Sequence, residues 1–529
     1  MVTIDYRPPG VYTREGVAPS TPAPFYRPAC IAILGRVTEH YLTTNGEEIK
    51  NTTPYTKSGD DWVYQLAYGR VVVTDESGAA CPVLIHTVLM SHETTPTYFL
   101  ENTDYTIDYE TGAITFLKEG SATYPIADED TWILITYTHL PQGQKFYAPK
   151  DFYDYDDVIG FYGDPLDADG HIQSPMVLSA GFALQNAPWV KCFPIDPHLD
   201  GTGDEIITNE DWRITIDEKL ALEDVDIVVT QTEFALKDYT PLEGDSDGKA
   251  QQLYGYMDNH LSDMCSEVGR MERIWIWSDI YGLDIFSDDP YMPDMMNTAT
   301  THIWGKDREE EIYVCPPGVD WFNYRKKNPF DGTEGYGEQL DGNYLAAYLA
   351  GILAHNDPQM PLTRKKADIF HDLGDSYHPL EQNTVASKGC TVMEVKPGGL
   401  RVRHGLTCDT TRLERTEPSI VRAKHYMCKY LRARLEEAFI GQPMVSTTFM
   451  SIASMTYAML VLLKDAGIIY DFQNVKARAN PDLPTEVLVK YEYCPAYPLN
   501  YITIEFTINP KLMTSQTAEA AADKGLGGI

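Results

Sequence analysis

TEPSIVRAKHYMCKYLRARLEEAFIG, residues 416–441, is the stretch around which the remaining sequence is organised. Its apolar residues recur at a spacing of about 3.6, which predicts a helix with two unlike sides. Thr416 and Pro418 are typical of a helix start, and we expect the threonine hydroxyl to accept from a free backbone N–H. Gly441 and Pro443 are typical of a helix end.

The two sides of this predicted helix differ in chemistry. One side is apolar and predicts packing, whereas the other is cationic and is either a solvated face or the contact surface for an anionic partner. The apolar side carries Ile420, Met427, Leu431, Leu435 and Ala438, and the cationic side carries Arg422, His425, Lys429 and Arg432.

The charge of the whole chain makes that cationic side unusual. The chain has 42 Lys plus Arg against 78 Asp plus Glu, a net charge of −36, yet residues Arg401 to Arg434 include nine basic and three acidic residues. Concentrated cations in an acidic protein predict an anionic partner. That partner is not expected to be nucleic acid, because a net charge of this sign repels phosphate.

Length and composition indicate a folded protein of several domains. At 529 residues, with 43% hydrophobic and 23% charged residues, roughly three or four domains are expected. The nine cysteines are scattered and never in CxxC spacing, which argues against disulfides and structural zinc. No signal peptide or apolar run near the length of a membrane span is recognised, so we expect synthesis in a cytoplasm.

Motifs of catalysis and ligand binding are incomplete. GDSDGKA at 244–250 is one residue short of a phosphate-binding loop and lacks its final hydroxyl, and DADG at 167–170 lacks the oxygens of a calcium loop. FHDLGDSYH at 370–378 groups two histidines with two aspartates, but not in a zinc spacing. We therefore predict no catalytic, cofactor-binding or metal-binding residues and no enzyme activity.

The order of residue patterns along the chain predicts an α/β fold, α+β overall. Alternating β residues, as in DYTIDYETGAITFL at 104–117 and WILITYTH at 132–139, predict an antiparallel domain inserted after a buried first strand. Strands then alternate with helices. The predicted segments are an N-terminal arm (1–28), a first strand (29–36), an inserted β-sandwich or barrel-like domain (37–142), an α/β domain (143–400), a C-terminal domain (401–509) and a flexible tail (510–529).

Individual elements are predicted within those segments. A small-residue helix at 341–357 should be buried in tight packing, and a more apolar helix at 450–466 should follow the 416–441 helix. The remaining predictions are strands at 189–193, 226–230, 273–277, 311–315, 468–475, 486–493 and 501–508, and helices at 172–186 and 248–268.

Seven short motifs occur along the chain in a fixed order: PGVY (9–12), AILG (32–35), VLSAGFALQNAPWVKCFPI (177–195), YLAAYLAGILAHNDPQMPLTRK (344–365), GLRVRHGLT (399–407), EPSIVRAKHYMCKYLRARLEEAFIG (417–441) and YPLNYITIEF (497–506). In this order they resemble the tail sheath proteins of contractile phage tails. The motifs cover most of the chain outside 37–142, so the resemblance is specific although each motif is weak alone.

The resemblance implies a sheath-protein core with extended arms and a structural role. Hexameric rings stack around a tail tube, contract to drive it through the host envelope for genome delivery, and stay connected through arms that add strands to neighbouring subunits. The arm residues expected here are Pro9, Gly10, Val11, Tyr12, Ile502, Ile504 and Phe506. The expected tube-facing residues are Arg422, His425, Lys429 and Arg432.

The implied partners are other copies of the chain, the tail tube protein, and baseplate and tail terminator proteins, within the virion tail. Neither nucleic acid nor a membrane span is expected. Three alternatives stay open: the sheath of a phage-derived contractile injection system, an α/β hydrolase or nucleotide-binding enzyme, and a monomeric receptor-binding module.

Overall fold

A computed structural model of the chain provides the structure. It describes residues 29–38, 42–49, 56–58, 61–66, 83–89, 98–109, 112–117, 131–139, 146–199, 205–232, 253–282, 308–327, 334–482, 485–500 and 502–505. Contacts divide the chain into two units, with the boundary after Ala496.

Within the described residues the chain forms both helices and strands. The helices are α1 (Tyr155–Tyr162), α2 (Pro175–Leu184), α3 (Asn209–Ile214), α4 (Leu253–Met264), α5 (Gly342–His355), α6 (Pro379–Ser387), α7 (Pro418–Phe439) and α8 (Ser446–Asp465), with a π-helical turn (Thr215–Lys219) and a 3-10 turn (Leu220–Leu222) after α3. The strands are β1 (Ile31–Gly35), β2 (Leu42–Ile49), β3 (Thr56–Ser58), β4 (Asp61–Gln65), β5 (Leu84–Leu89), β6 (Tyr105–Asp108), β7 (Ala113–Phe116), β8 (Thr131–His139), β9 (Lys150–Phe152), β10 (Val190–Pro194), β11 (His198–Leu199), β12 (Glu205–Ile206), β13 (Ile227–Gln231), β14 (Ile274–Trp277), β15 (Glu311–Cys315), β16 (Val319–Lys327), β17 (Glu334–Leu340), β18 (Phe370–Leu373), β19 (Cys390–Lys396), β20 (Gly399–His404), β21 (Ile469–Ala479) and β22 (Val487–Pro495).

An eight-stranded sheet forms the centre of the molecule, in the order β20-β19-β15-β14-β13-β1-β10-β9. The six inner strands are parallel, and β9 and β20 add antiparallel edges. Alternate residues of β1 point to opposite sides: Ile31 and Ile33 join a core with α2 and α5, and Leu34 joins a second core with α4. Because both faces are covered, the inner strands are mostly apolar, as IAILG in β1 and IWIW in β14 are.

Two small antiparallel sheets lie between β1 and β9 in the sequence. Their strand orders are β2-β8-β5 and β3-β4-β7-β6, and buried residues such as Ile114 and Ile135 share one cluster. The chain leaves the large sheet after β1 and returns to it at β9, which is the connectivity expected of an insertion. The predicted domain boundaries themselves stay predictions, and the one at 400/401 falls inside β20.

Helix α5 packs closely on α2. Every residue from Gly342 to Ala354 is buried. A Cβ on Gly351 would lie 2.3 Å from the carbonyl oxygen of Ala183, at the end of α2. The small residues of α5 are therefore packing choices that allow two backbones to approach, as predicted.

The structure confirms the α/β class and most predicted elements. The predicted strands at 189–193, 226–230, 273–277 and 311–315 correspond to β10, β13, β14 and β15, and the predicted helices correspond to α2, α4, α5, α7 and α8.

One local prediction is wrong, and another is contradicted where it can be compared. Glu417, not Thr416, is the residue that precedes α7, because the Thr416 hydroxyl donates to the carbonyl of Arg412 at 2.8 Å and so turns away from the helix. The predicted strand at 501–508 is described only at residues 502–505, and these four residues have no strand assignment. The N-terminal arm lies outside the described residues.

We predict that Gly351→Ala destabilises the chain by about 1 to 3 kcal/mol, because the added methyl group forces backbone apart in a close-packed core. The matched control is Gly255→Ala in α4, where nothing lies within 4 Å of the added carbon. That change should stabilise the helix by about 0.5 to 1 kcal/mol. Urea unfolding midpoints measure both effects, and equal shifts for the two variants would contradict the packing argument.

Candidate functional site along helix α7

Helix α7 has two packed sides. Its apolar side carries Met427 and Leu431, which contact Leu460 and Leu463 of α8 and Ile469 at the start of β21. The helix ends at Phe439, and Gly441 follows with a φ of 86°, a conformation in which glycine has no Cβ penalty. The sequence predicted this side and this end correctly.

The cationic side of α7 faces the large sheet at the end where its parallel strands begin. Lys429 Nζ lies 2.9 Å from Asp224 and 2.7 Å from Asp226, which immediately precedes β13. The other carboxylate oxygen of Asp226 accepts from the backbone N–H of Cys30 at 2.9 Å, just before β1. One aspartate thereby joins α7 to two neighbouring strands.

The same arrangement recurs along the sheet. Arg432 pairs with Glu272, two residues before β14, and donates to the carbonyl of Arg270 at 2.6 Å. Lys424 pairs with Glu309, two residues before β15. Lys424, Lys429 and Arg432 therefore each meet an acidic residue that precedes a parallel strand.

Arg422 and His425 are buried, with exposed fractions of 8% and 6%. Arg422 donates to the carbonyl of Asn356, after α5, at 3.2 Å. Burial and the neighbouring Lys424, Lys429 and Arg422 hold the pKa of His425 well below its usual range. The imidazole is therefore neutral near pH 7, because its charged form would lose water contacts and face three cations.

The side chains of this region enclose a cleft of about 510 Å³ between α7 and the edge of the sheet. The side chains of Lys429 and Arg432 keep 21% and 26% of their exposure. Solvent screens pairs of this kind, so each contributes at most about 1 kcal/mol. Together the ion pairs orient α7 on the sheet, although no single pair is essential.

These contacts correct the expectation of a free cationic face. Arg422, His425, Lys429 and Arg432 lie together, as predicted, but they are packed against their own chain, and the three cations among them contact its acidic and carbonyl groups. The physical reason is that the strand-preceding acids provide the anionic partner. Contact of these four residues with a tube stays a prediction, which a single chain does not test.

The arm residues are only partly described. Ile502 and Ile504 belong to the second unit, where their exposed fractions are 77% and 80%. Exposed isoleucines at alternate positions are compatible with a strand donated to another subunit. Pro9, Gly10, Val11, Tyr12 and Phe506 lie outside the described residues, so their predicted role stays a prediction.

Helix α8 exposes a large part of its apolar surface. Met450, Tyr457 and Leu462 are exposed although α8 is strongly apolar. Among the described residues α8 is long and apolar enough to cross a membrane, with 28% of the apolar window buried, contrary to the expectation that no apolar run approaches that length. One such helix is weak evidence, because helices that pack against protein meet the same criterion.

Sequence reasoning missed the acidic partners of α7. A signal was present, since Asp226, Glu272 and Glu309 each stand just before a buried apolar run. No local sequence pattern, however, predicts that α7 packs against the beginnings of these strands.

Two of the incomplete motifs form structural turns. Asp167 accepts the backbone amides of Asp169 and His171, and His378 accepts that of Leu380 at the start of α6.

The fold and this site define a three-layer α/β protein whose C-terminal helix α8 leaves apolar side chains exposed. The contracted helical sheath of the anti-feeding prophage has a similar structure, with a TM-score of 0.50 and 10% identity over 70% of this chain and 90% of that chain. At that identity the match shows the fold alone, which is the fold of a contractile sheath subunit.

Sequence comparison adds two phage relatives. The chain is 28% identical over 363 residues to the tail sheath protein of Mycobacterium phage Bxz1, which is 68% of this chain and 56% of that protein. It is 27% identical over 173 residues to the tail sheath protein of Bacillus phage SP01, which is 31% of this chain and 29% of that protein. The matched region thus spans about half the length of the first relative and less of the second. No protein-family model matches. The resemblance to phage tail sheath proteins is confirmed.

We predict that the double change Lys429→Glu and Arg432→Glu destabilises the folded chain by about 2 to 4 kcal/mol, because it removes two ion pairs and places carboxylates against Asp224, Asp226 and Glu272. The matched control is Lys476→Glu with Arg478→Glu on the exposed β21. It changes the net charge equally and should shift stability by no more than about 0.5 kcal/mol.

Chemical unfolding followed by circular dichroism measures both variants. An α7 variant as stable as the control would contradict the ion-pair account and restore the expectation of a free cationic face.

Proposed function

We propose that this chain is the structural subunit of a contractile phage tail sheath. It polymerises as stacked hexameric rings around the tail tube and contracts to drive the tube through the host envelope for genome delivery. The observation that carries the proposal is the 28% identity to a tail sheath protein across 68% of the chain. A sheath of a phage-derived injection system is the second candidate, favoured by the fold of the anti-feeding prophage sheath.

The proposed role is structural rather than catalytic, and the proposed site of action is the tail of the virion after synthesis in the host cytoplasm. The partners are neighbouring copies of the chain, the tail tube protein, and baseplate and terminator proteins at the two ends. The exposed apolar side chains of α8, and those of Ile502 and Ile504, support this assignment. Apolar surface of this extent is typical of a protein that is buried in an assembly.

The arms connect subunits by strand addition. Residues 502–505 have no strand assignment among the described residues, although Ile502 and Ile504 alternate in the sequence as strand residues do, and both are exposed. Pairing with a neighbour supplies the missing backbone hydrogen bonds, and the apolar side chains are covered at the same time. We assign Pro9, Gly10, Val11 and Tyr12 the same role at the other end of the chain.

The tube contact is assigned to the exposed face of α8, because the resemblance places a C-terminal helix against the tube. Contact through Arg422, His425, Lys429 and Arg432 would require these side chains to leave their places inside the chain. Contact through Met450, Tyr457 and Leu462 requires no rearrangement. The two assignments differ in which variants prevent assembly on tubes.

Removal of residues 1–28 is expected to reduce the yield of ordered sleeves by at least about tenfold, since each lost strand pairing weakens every subunit contact in the polymer. The control is removal of residues 510–529, which keeps Ile502, Ile504 and Phe506. Negative-stain microscopy and sedimentation of the purified full chain and both truncations give the yields. Normal, contractible sleeves from the chain without residues 1–28 would contradict the role of the arm.

The change Met450→Glu with Leu462→Glu should leave the chain folded and reduce co-sedimentation with tail tubes by at least about tenfold, because charges would replace the apolar contact. Leu222→Glu with Leu380→Glu is the control, since both leucines are exposed elsewhere on the molecule. Tube binding equal to that of the control would refute the α8 assignment.

A further inference from the structure

Three side chains with metal-binding chemistry converge beside the cleft. Cys265 follows the end of α4, Glu310 immediately precedes β15, and His425 lies in the middle of α7. One candidate ligand atom from each residue lies within 4.8 Å of the other two. The three residues come from separate elements, so no local spacing in the sequence predicts the cluster.

His425 supplies an independent indication that a ligand binds at this point. Its ring Nε2 is buried and has no hydrogen-bond partner within the described residues, while the residue is 6% exposed. A buried ring nitrogen without a partner costs free energy, and such groups are rare in folded proteins. A neutral imidazole nitrogen is also the usual form of histidine in metal sites.

We propose that Cys265, Glu310 and His425 bind one divalent zinc ion, with water as the fourth ligand. Thiolate, imidazole and carboxylate are the three ligand types that zinc accepts in tetrahedral sites. Hard cations such as Mg²⁺ and Ca²⁺ prefer oxygen ligands alone, so a cysteine and a histidine favour zinc over them.

The site must contract slightly when the ion binds. Ligand atoms at about 2.0 to 2.3 Å from zinc lie about 3.5 Å from one another. Atoms that now lie up to 4.8 Å apart would therefore approach by up to about 1.3 Å, through rotation of the Glu310 and Cys265 side chains. The Cys265 thiol, which donates to the carbonyl of Arg273 at 3.5 Å, releases its proton to solvent and binds as thiolate.

Three cationic side chains of α7, Arg422, Lys424 and Lys429, lie near the cluster. Lys424 is paired with Glu309 and Lys429 with Asp224 and Asp226, so two of the three charges already have acidic partners, while Arg422 donates to the carbonyl of Asn356. The thiolate and the Glu310 carboxylate balance the two charges of the ion. The ion and its three protein ligands would therefore carry no net charge.

The ion would join α7 to the large sheet through bonds that salt does not screen. The ion pairs along α7 are partly exposed and individually weak, whereas a zinc ion bound beside α4, β15 and α7 would fix their relative positions. The inferred site is thus a clamp between the sheet and the C-terminal helices, and it is independent of the proposed role in a tail.

The test uses the full purified chain, treated with a chelator and then supplied with zinc alone. We expect about one zinc per chain by elemental analysis after gel filtration, together with a higher unfolding temperature. Cys265→Ser and Glu310→Gln should each weaken zinc binding by at least about tenfold, the smallest effect seen when even an outer contact of a zinc site is lost. Cys428→Ser, on α7 near His425 but outside the cluster, should leave binding unchanged.

A second measurement needs no variant. Cobalt(II) bound at the site should give a thiolate charge-transfer band, and zinc should protect Cys265 but not Cys428 from alkylation in the folded chain. Absence of the band, or equal alkylation of the two cysteines with and without zinc, overturns the proposal, as does zinc binding that the Cys265 and Glu310 variants share fully with the Cys428 variant.

Discussion

The ion pairs between α7 and the acidic residues that precede the parallel strands are the interaction on which the orientation of the C-terminal helices depends. Asp226, Glu272 and Glu309 gather at one edge because parallel strands begin at the same edge of a sheet. Their mutual repulsion needs a cationic counterpart. Helix α7 supplies it, which explains why a chain with a net charge of −36 concentrates basic residues on one helix.

This constraint makes α7 a joint between two layers. One side is held to the large sheet by partly exposed ion pairs, and the other by apolar packing against α8 and the β21–β22 hairpin. Burial of Met427, Leu431 and Leu460 supplies most of the free energy, since each fully buried side chain of this size contributes about 1.5 to 3 kcal/mol. The ion pairs set the orientation, and the outer face of α8 remains available to another molecule.

The relation to tail sheath proteins gives these features a context. In the proposed sheath, a subunit that rotates during contraction would need a rigid body and connections to its neighbours. The three-layer core is closely packed, as the approach of Gly351 to Ala183 shows, and residues 502–505 have no strand assignment. Strand pairing between neighbours would keep the proposed subunits connected during that movement.

The sequence by itself determined the elements that depend on local pattern. Apolar runs predicted β1, β10, β13, β14 and β15, alternation predicted the β6–β7 hairpin and β8, and the two-sided periodicity of α7 was correct, because spacing and end residues are local properties. Only the tertiary structure decided what the cationic side of α7 contacts and where Cys265, Glu310 and His425 meet. Both depend on groups far apart in the chain, and the packing of the sheet, not any spacing along the sequence, brings such groups together.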